Sequence, residues 1–277
     1  MSPAFVFGLI LAMRMAVTAA LIVAAGLAVE ILGPLIGAMV ATLPISAGPT
    51  YVFLSLDHGS AFIAESAQAS LVINAANIAF CAAYTLIAQS RGLVLSLAAA
   101  VAAWLAFALL CHTLPWSVSG GIALNVVVFL ICLPLARRFG GRAMPLTRRR
   151  WYDTPVRTAM VVALVATVVT VSSRVGPTIT GILALYPVVL TSMVLIFHRR
   201  IGGPATAAIT ANAIPGLGGY GVALLALNRA AVPMGAAVAL LLALGVSVGW
   251  NGIIIAWRRR GAIVERRLGA RSAGVPE

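Results

Sequence analysis

The chain has 277 residues, of which 62% are hydrophobic and 9% charged, and its formal net charge is +13. An apolar share so far above the roughly 45–50% of soluble proteins excludes a soluble globular domain and points to an integral membrane protein. The positive charge, carried by 19 basic residues that are all arginine, would suggest nucleic acid in a soluble protein. Here it sits between apolar runs, so topology accounts for it and no nucleic-acid partner is expected.

Apolar runs of about 20 residues, the length that crosses a bilayer ~30 Å thick as a helix, recur along most of the sequence and predict an all-α fold of about nine transmembrane helices. The first span runs from Ala12 to Ile31, with helical extension back to Phe5. It lacks a basic leading region and Arg14 interrupts it, so it reads as retained rather than cleaved. The second, Pro34 to Leu56, contains Pro44 and Gly48-Pro49. The third is long, Ser60 to Gln89, and the fourth and fifth run from Leu93 to Cys111 and from Ser117 to Ala136. After an arginine-rich loop come the sixth, Thr154 to Ser172, and the seventh, Pro177 to Phe197, which should break at Pro187 because proline removes a helix hydrogen bond and crowds the preceding turn. The eighth, Pro204 to Leu227, should be interrupted at Pro215-Gly216-Leu217-Gly218-Gly219, and the ninth runs from Val232 to Trp257. Cys81, Cys111 and Cys132 lie in apolar runs without paired spacing, so they read as core residues rather than as a disulfide framework or metal site.

One stretch occurs twice. Leu32-Gly33-Pro34-Leu35-Ile36-Gly37-Ala38-Met39-Val40-Ala41-Thr42-Leu43-Pro44 returns 143 positions later as Val175-Gly176-Pro177-Thr178-Ile179-Thr180-Gly181-Ile182-Leu183-Ala184-Leu185-Tyr186-Pro187. In each copy Gly-Pro opens an apolar segment, where the missing proline N–H is no loss, and a second proline follows ten residues on. Arg14-Met15-Ala16 and Arg157-Thr158-Ala159 keep the same offset, so spans 1 and 2 correspond to spans 6 and 7. With one inserted residue, Gly59, Ala61, Ala64, Ala67 and Ala69 match Gly203, Ala205, Ala208, Ala211 and Ala213, which relates span 3 to span 8.

Arginine placement sets the orientation, because cytoplasmic loops carry the excess of positive charge. With the loop of Arg137, Arg138, Arg142, Arg148, Arg149 and Arg150 inside, only Arg14, Arg174 and Arg229 fall outside. The amino terminus then faces out and the carboxyl terminus lies in the cytoplasm, as expected for a bacterial inner membrane. Trp116, Trp151 and Trp257 land at the interfaces. Five spans separate the copies, an odd number, so the repeat is inverted. Residues 1–138 form a first membrane repeat of five spans, 139–153 a basic cytoplasmic loop, 154–260 a second repeat of four spans and 261–277 a basic tail.

Inverted repeats with interrupted helices at matching positions point to a secondary transporter. Broken helices leave backbone groups that lipid cannot satisfy and that a substrate or water can, so the substrate site is expected between Pro44 and Pro187. Thr42, Ser46, Thr50, Gln68, Asn74, Thr191, Ser192, Thr210 and Asn212 are the polar candidates beside them, with helix-to-helix hydrogen bonding as their alternative role. Ionisable residues inside a membrane are functional candidates. Glu65, about two turns into span 3, reads as the most buried carboxylate and as the proton-coupling group, since burial would raise its pKa. Arg14 and Arg157 are repeat mates that read either as gates or as side chains snorkelling to headgroups. Asp57-His58 and His198-Arg199-Arg200 read as solvated helix ends.

Enzyme chemistry is poorly supported. No lysine-bearing phosphate loop exists, and His58, His112 and His198 close no metal-ligand spacing. Ser117-Val118-Ser119-Gly120-Gly121 lacks a histidine partner at depth. No cofactor, metal or catalytic residue is expected. The partners are membrane lipid and a small-molecule substrate, with assembly into a homo-oligomer left open.

The segment Leu32 to Leu56, followed by Gly59 to Gln89 and the span from Leu93, resembles the GlpM-type small bacterial membrane proteins in its glycine-containing segment, mid-helix proline and polar helix end. The resemblance covers residues ~10–112 and, more weakly, ~153–257. It implies a tandem, inverted duplication of a four-helix unit with span 5 as connector, and an association with exopolysaccharide production. A transporter of a small solute or lipid-linked intermediate is the leading expectation. A non-transporting accessory or scaffold protein of envelope-polysaccharide production is the alternative.

Overall fold

A computed structural model of the protein describes residues 2–31, 47–141 and 150–272. Helix α1 spans Pro3–Ile31, α2 Ala47–Asp57, α3 Ser60–Ile87, α4 Leu93–His112 and α5 Val118–Phe139. After the basic loop come α6 (Asp153–Ala184), α7 (Val188–Ile201), α8 (Gly203–Met234) and α9 (Ala236–Ser272). Among the described residues there is no strand, and 6 helical stretches are long and apolar enough to cross a membrane, with α6 and α7 counted as one. Leu95, Leu109, Leu130, Ile131, Leu241 and Ile253 are exposed on the outer helices. Large side chains in such numbers on a protein surface need an apolar solvent. The chain is an all-α, multi-pass membrane protein.

Helix α3 is the centre. It packs against α4, α5, α6 and α8, and its closest association is with α8. Its residues from Leu71 to Ile78 are buried without a gap, so no side of that stretch meets lipid. Helix α5 touches both α3 and α8, and α9 covers the other side of α8.

Glycines mark the junctions of the second half. Gly176, Gly202 and Gly235 are in the positive-φ region, at 73°, 81° and 82°, which side-chain-bearing residues seldom adopt. Gly176 bends α6 and Pro177 starts the next turn, as the Gly-Pro pattern predicts. Gly235 ends α8 after Met234, so the eighth span continues seven residues beyond Leu227, past Arg229. The seventh span breaks at Leu185–Pro187, as expected from Pro187.

The expected interruption at Pro215 does not occur: α8 is helical through Pro215 to Gly219. Prolines are tolerated inside membrane helices, and here neighbouring helices bond the stretch from Pro215 onward. Trp250 Nε1 donates to the Pro215 carbonyl at 3.0 Å and Asn74 Nδ2 to the Leu217 carbonyl at 2.9 Å. The glycines serve as packing notches. A Cβ on Gly219 would lie 2.0 Å from the Trp250 ring, and one on Gly218 2.9 Å from that of Phe129.

Candidate functional site

Three residues, Leu185 to Pro187, separate α6 from α7. The Leu185 N–H reaches the Ile182 carbonyl at 3.2 Å, the Tyr186 N–H reaches Leu183 at 3.0 Å, and the Thr191 N–H reaches Pro187 at 2.8 Å. The Tyr186 ring meets Trp104 edge-on at 5.3 Å, and Trp104 Nε1 donates to Asn77 Oδ1 at 2.9 Å. In the first turn of α7, the buried Thr191 hydroxyl has no hydrogen-bond partner among the described residues, while Ser192 donates to the Val189 carbonyl at 2.8 Å.

Beyond its bend, α6 lies directly on α3. A Cβ on Gly181 would fall 2.2 Å from the Ser66 carbonyl oxygen, so only glycine permits this approach. Ser70 Oγ donates to the Gly181 carbonyl at 2.7 Å and bonds the Tyr51 hydroxyl at 2.6 Å, tying α2, α3 and α6 together. Helices α3 and α6, the end of α4 and the α4–α5 turn line a cavity of about 270 Å³ that includes Glu65, Gln68, His112, Trp116 and Thr178. Gln68 Nε2 donates to the Trp116 carbonyl at 2.6 Å, and Trp116 Nε1 donates to the Cys111 carbonyl at 3.0 Å. Glu65 is exposed rather than buried, because its depth in the helix is offset by its position on the cavity side. It accepts a hydrogen bond from Thr178 Oγ1 at 3.4 Å.

A ladder of polar contacts joins α3 to α5 and α8. Asn74 Nδ2 donates to Leu217 O and to Asn125 Oδ1, both at 2.9 Å, and Asn125 Nδ2 donates to Leu71 O at 2.6 Å. The fully buried Asn74 Oδ1 has no partner among the described residues. On one side of this crossing Asn228 Nδ2 donates to Ala64 O at 2.7 Å. On the other, Thr85 Oγ1 donates to Ala207 O at 3.4 Å and bonds Thr210 Oγ1 at 3.0 Å.

The helix ends expected to be solvated are paired instead. Arg14 on α1 holds Asp57 through two bonds, Nη1 to Oδ2 at 2.5 Å and Nη2 to Oδ1 at 2.6 Å. Arg200 at the end of α7 holds Asp153 at the start of α6, with Nη1 to Oδ2 at 2.7 Å and Nη2 on Oδ1. His58 Nε2 bonds Ser172 Oγ at 2.8 Å, and His198 Nδ1 bonds the Tyr84 hydroxyl at 2.6 Å. Each histidine thus links a short helix to a long one from the other half of the chain. Just outside the spans, hydrogen bonds from Arg200 and Arg150 hold the Tyr152 phenol below its usual pKa.

The sequence-derived candidates therefore occupy separate places. Glu65 and Gln68 share the cavity. Pro187, Thr191 and Ser192 lie at the α6–α7 break. Thr210 joins the α3–α8 ladder, and Asn212 Nδ2 is committed to the Gly140 carbonyl at 2.9 Å. Thr50 is buried in α2, Arg14 is in its ion pair, and Arg157 lies one turn beyond Asp153. Thr42, Pro44 and Ser46 lie outside the described residues. Asn125, Asn228 and Thr178 were not singled out from sequence, and Trp116 only as an interface residue; the two asparagines, polar residues in otherwise apolar runs, carried a readable signal. Comparison with family models, curated proteins and solved structures finds no match to this chain.

Proposed function

We propose that the chain is a secondary transporter of a small solute or lipid-linked intermediate, built as a nine-span inverted duplication of a GlpM-type unit and working by alternating access. The observation that carries this is the contact of Asn74 with Leu217, residues 143 apart. That separation is the offset of the repeated stretch. Residues related by a two-fold axis meet each other only where the axis passes, and contacts away from it come in reciprocal pairs. Thr85 bonds the Ala207 carbonyl and Asn228 bonds the Ala64 carbonyl. Residues 85 and 228 are offset by 143, and so are 64 and 207. These contacts favour a constant offset for the third helix pair over the one-residue insertion that matching Gly59 to Gly203 requires.

Packing supports the same axis. Helix α3 pairs with α4 as α8 pairs with α9, α4 touches α7 as α9 touches α2, and α5 touches α3 and α8 alike. Ile22 and Val165, again 143 apart, share one core cluster of α1 and α6. An axis in the membrane plane lets one packing arrangement serve as outward-open and its counterpart as inward-open.

On this reading the break at Pro187, with its partner Pro44, frames the transport path, and Glu65 is the proton-coupling group. Arg14 and Arg157 belong to gates at opposite faces of an inner-membrane protein whose amino terminus is outside. Proton flux into proteoliposomes, wild type against Glu65→Gln, across a panel of organic cations, anions and drugs, is the test. Substrate-dependent flux lost in the variant supports the carrier. Folded, inserted protein that moves protons with no compound points to the accessory role instead.

A further inference from the structure

We propose that the cavity beside Glu65 binds a small organic cation, an amine or ammonium. The inference rests on the reading of Glu65 as the working carboxylate and names what that carboxylate takes, but it does not depend on transport.

Charge is the first ground. The chain carries 19 arginines and a net charge of +13, yet among the described residues no arginine lines this cavity, and Glu65 is its carboxylate. Of the carboxylates whose side chains are described, Asp57 is held by Arg14 and Asp153 by Arg200. Among the described residues Glu65 has no ion pair and meets only the Thr178 hydroxyl, at 3.4 Å. In a chain so rich in arginine, a carboxylate left open to a cavity is available to a cation from outside the chain.

The neighbouring groups agree. Gln68 spends its Nε2 on the Trp116 carbonyl, and its Oε1 remains an acceptor. Trp116 spends its N–H on the Cys111 carbonyl, so the indole presents π surface rather than a donor. A carboxylate, an amide oxygen and an aromatic ring together complement a positively charged hydrogen-bond donor. An anion would meet the Glu65 charge with no compensating arginine. His112 and Cys111 are the other titratable residues of the lining, and a neutral imidazole adds one more acceptor. A volume of about 270 Å³ lies just below the ~300–1,000 Å³ of drug-sized sites, which sets the ligand as small.

Benzylammonium, with uncharged benzyl alcohol and anionic benzoate as partners of the same shape, tests this on the full chain in detergent micelles. Binding is read by calorimetry and by tryptophan fluorescence. Benzylammonium should bind at least about tenfold more tightly than either partner, and Glu65→Gln should lose about tenfold or more, while Glu65→Asp keeps part of the affinity. Trp116→Phe should abolish the fluorescence change and leave calorimetric binding measurable. Helical content and monodispersity of each variant establish that it folds, and exposure of Glu65 favours that. Equal binding of benzoate, unchanged binding by Glu65→Gln, or no binding of benzylammonium overturns the site. No gradient is present, so cation binding without flux would remove the transporter and keep the site, and flux without cation binding would do the reverse.

Discussion

Asp57 and Arg200 hold the same place in the two halves of the chain, at or next to the last turn of α2 and α7, and each clasps the long helix that precedes it with a charge opposite to the other's. Asp57 takes Arg14, and Arg200 takes Asp153. The two clasps should differ in strength. Side-chain exposure is 14% and 33% in the first and 10% and 13% in the second. Asp57→Asn should cost about 1 kcal/mol, as for a partly solvated pair, and Asp153→Asn about 2 kcal/mol, because the less exposed Arg200 loses its charged partner. Thermal unfolding in detergent should rank them so, and the exchange Arg14→Asp with Asp57→Arg should recover most of the first loss. An equal loss for both would show that burial does not set their strength.

Side-specific labelling tests the inverted topology. Cys81, Cys111 and Cys132 are buried, so a background lacking them leaves single cysteines at positions 58 and 200 as the only reactive sites. An impermeant maleimide added to intact cells should label position 58, and position 200 only after the membrane is opened. Labelling of both from one side would rule out an inverted repeat.

Close contact of α3 with α6 makes Gly181 irreplaceable. Gly181→Ala drives a Cβ to 2.2 Å from the Ser66 carbonyl, backbone against backbone, and should cost about 3 kcal/mol. Gly48→Ala, with nothing within 4 Å of the added carbon, should be neutral or should gain about 0.5–1 kcal/mol from helix propensity. Unfolding temperatures of the two variants should move in opposite directions or differ by several degrees; equal shifts would show that the notch is not tight.

The Tyr152 phenol, hydrogen-bonded by Arg200 and Arg150, titrates below its ordinary value of 10.0. Between the lowered pKa and 10.0, the unfolded chain binds more protons at this group than the folded one, so its contribution to stability grows with pH and is lost as pH falls through the lowered pKa. Absorbance at the tyrosinate band should show an early-ionising component in the wild type. Arg150→Gln should move that component upward, and an unmoved titration would remove Arg150 as its cause.

Much of the helical frame was legible, because long apolar runs bounded by glycine, proline or arginine have few other solutions in a membrane. Helix α3 begins at Ser60 as expected, and Pro187 breaks its segment. Pro215 misled for a physical reason: whether a proline interrupts a membrane helix depends on the packing around it. Here Trp250 and Asn74, from helices distant in sequence, bond the carbonyls of Pro215 and Leu217 and hold the stretch in place. The same distance hid the ion pairs, since nothing near Asp57 announces Arg14. Glu65 was correctly picked out as a membrane carboxylate but misjudged as buried, because depth along a helix does not say which side faces a cavity.

Helix α5 rests on α3 and α8 together, and on the proposed inverted repeat it is the element without a counterpart. If the halves rock about their common axis, whatever lies on that axis keeps its depth while everything else is displaced. A dye on Val127, an exposed residue of α5, would then act as a benchmark. Distances from it to the ends of α2 and α7 would lengthen and shorten in turn, so one fixed label would read both gates within a single molecule.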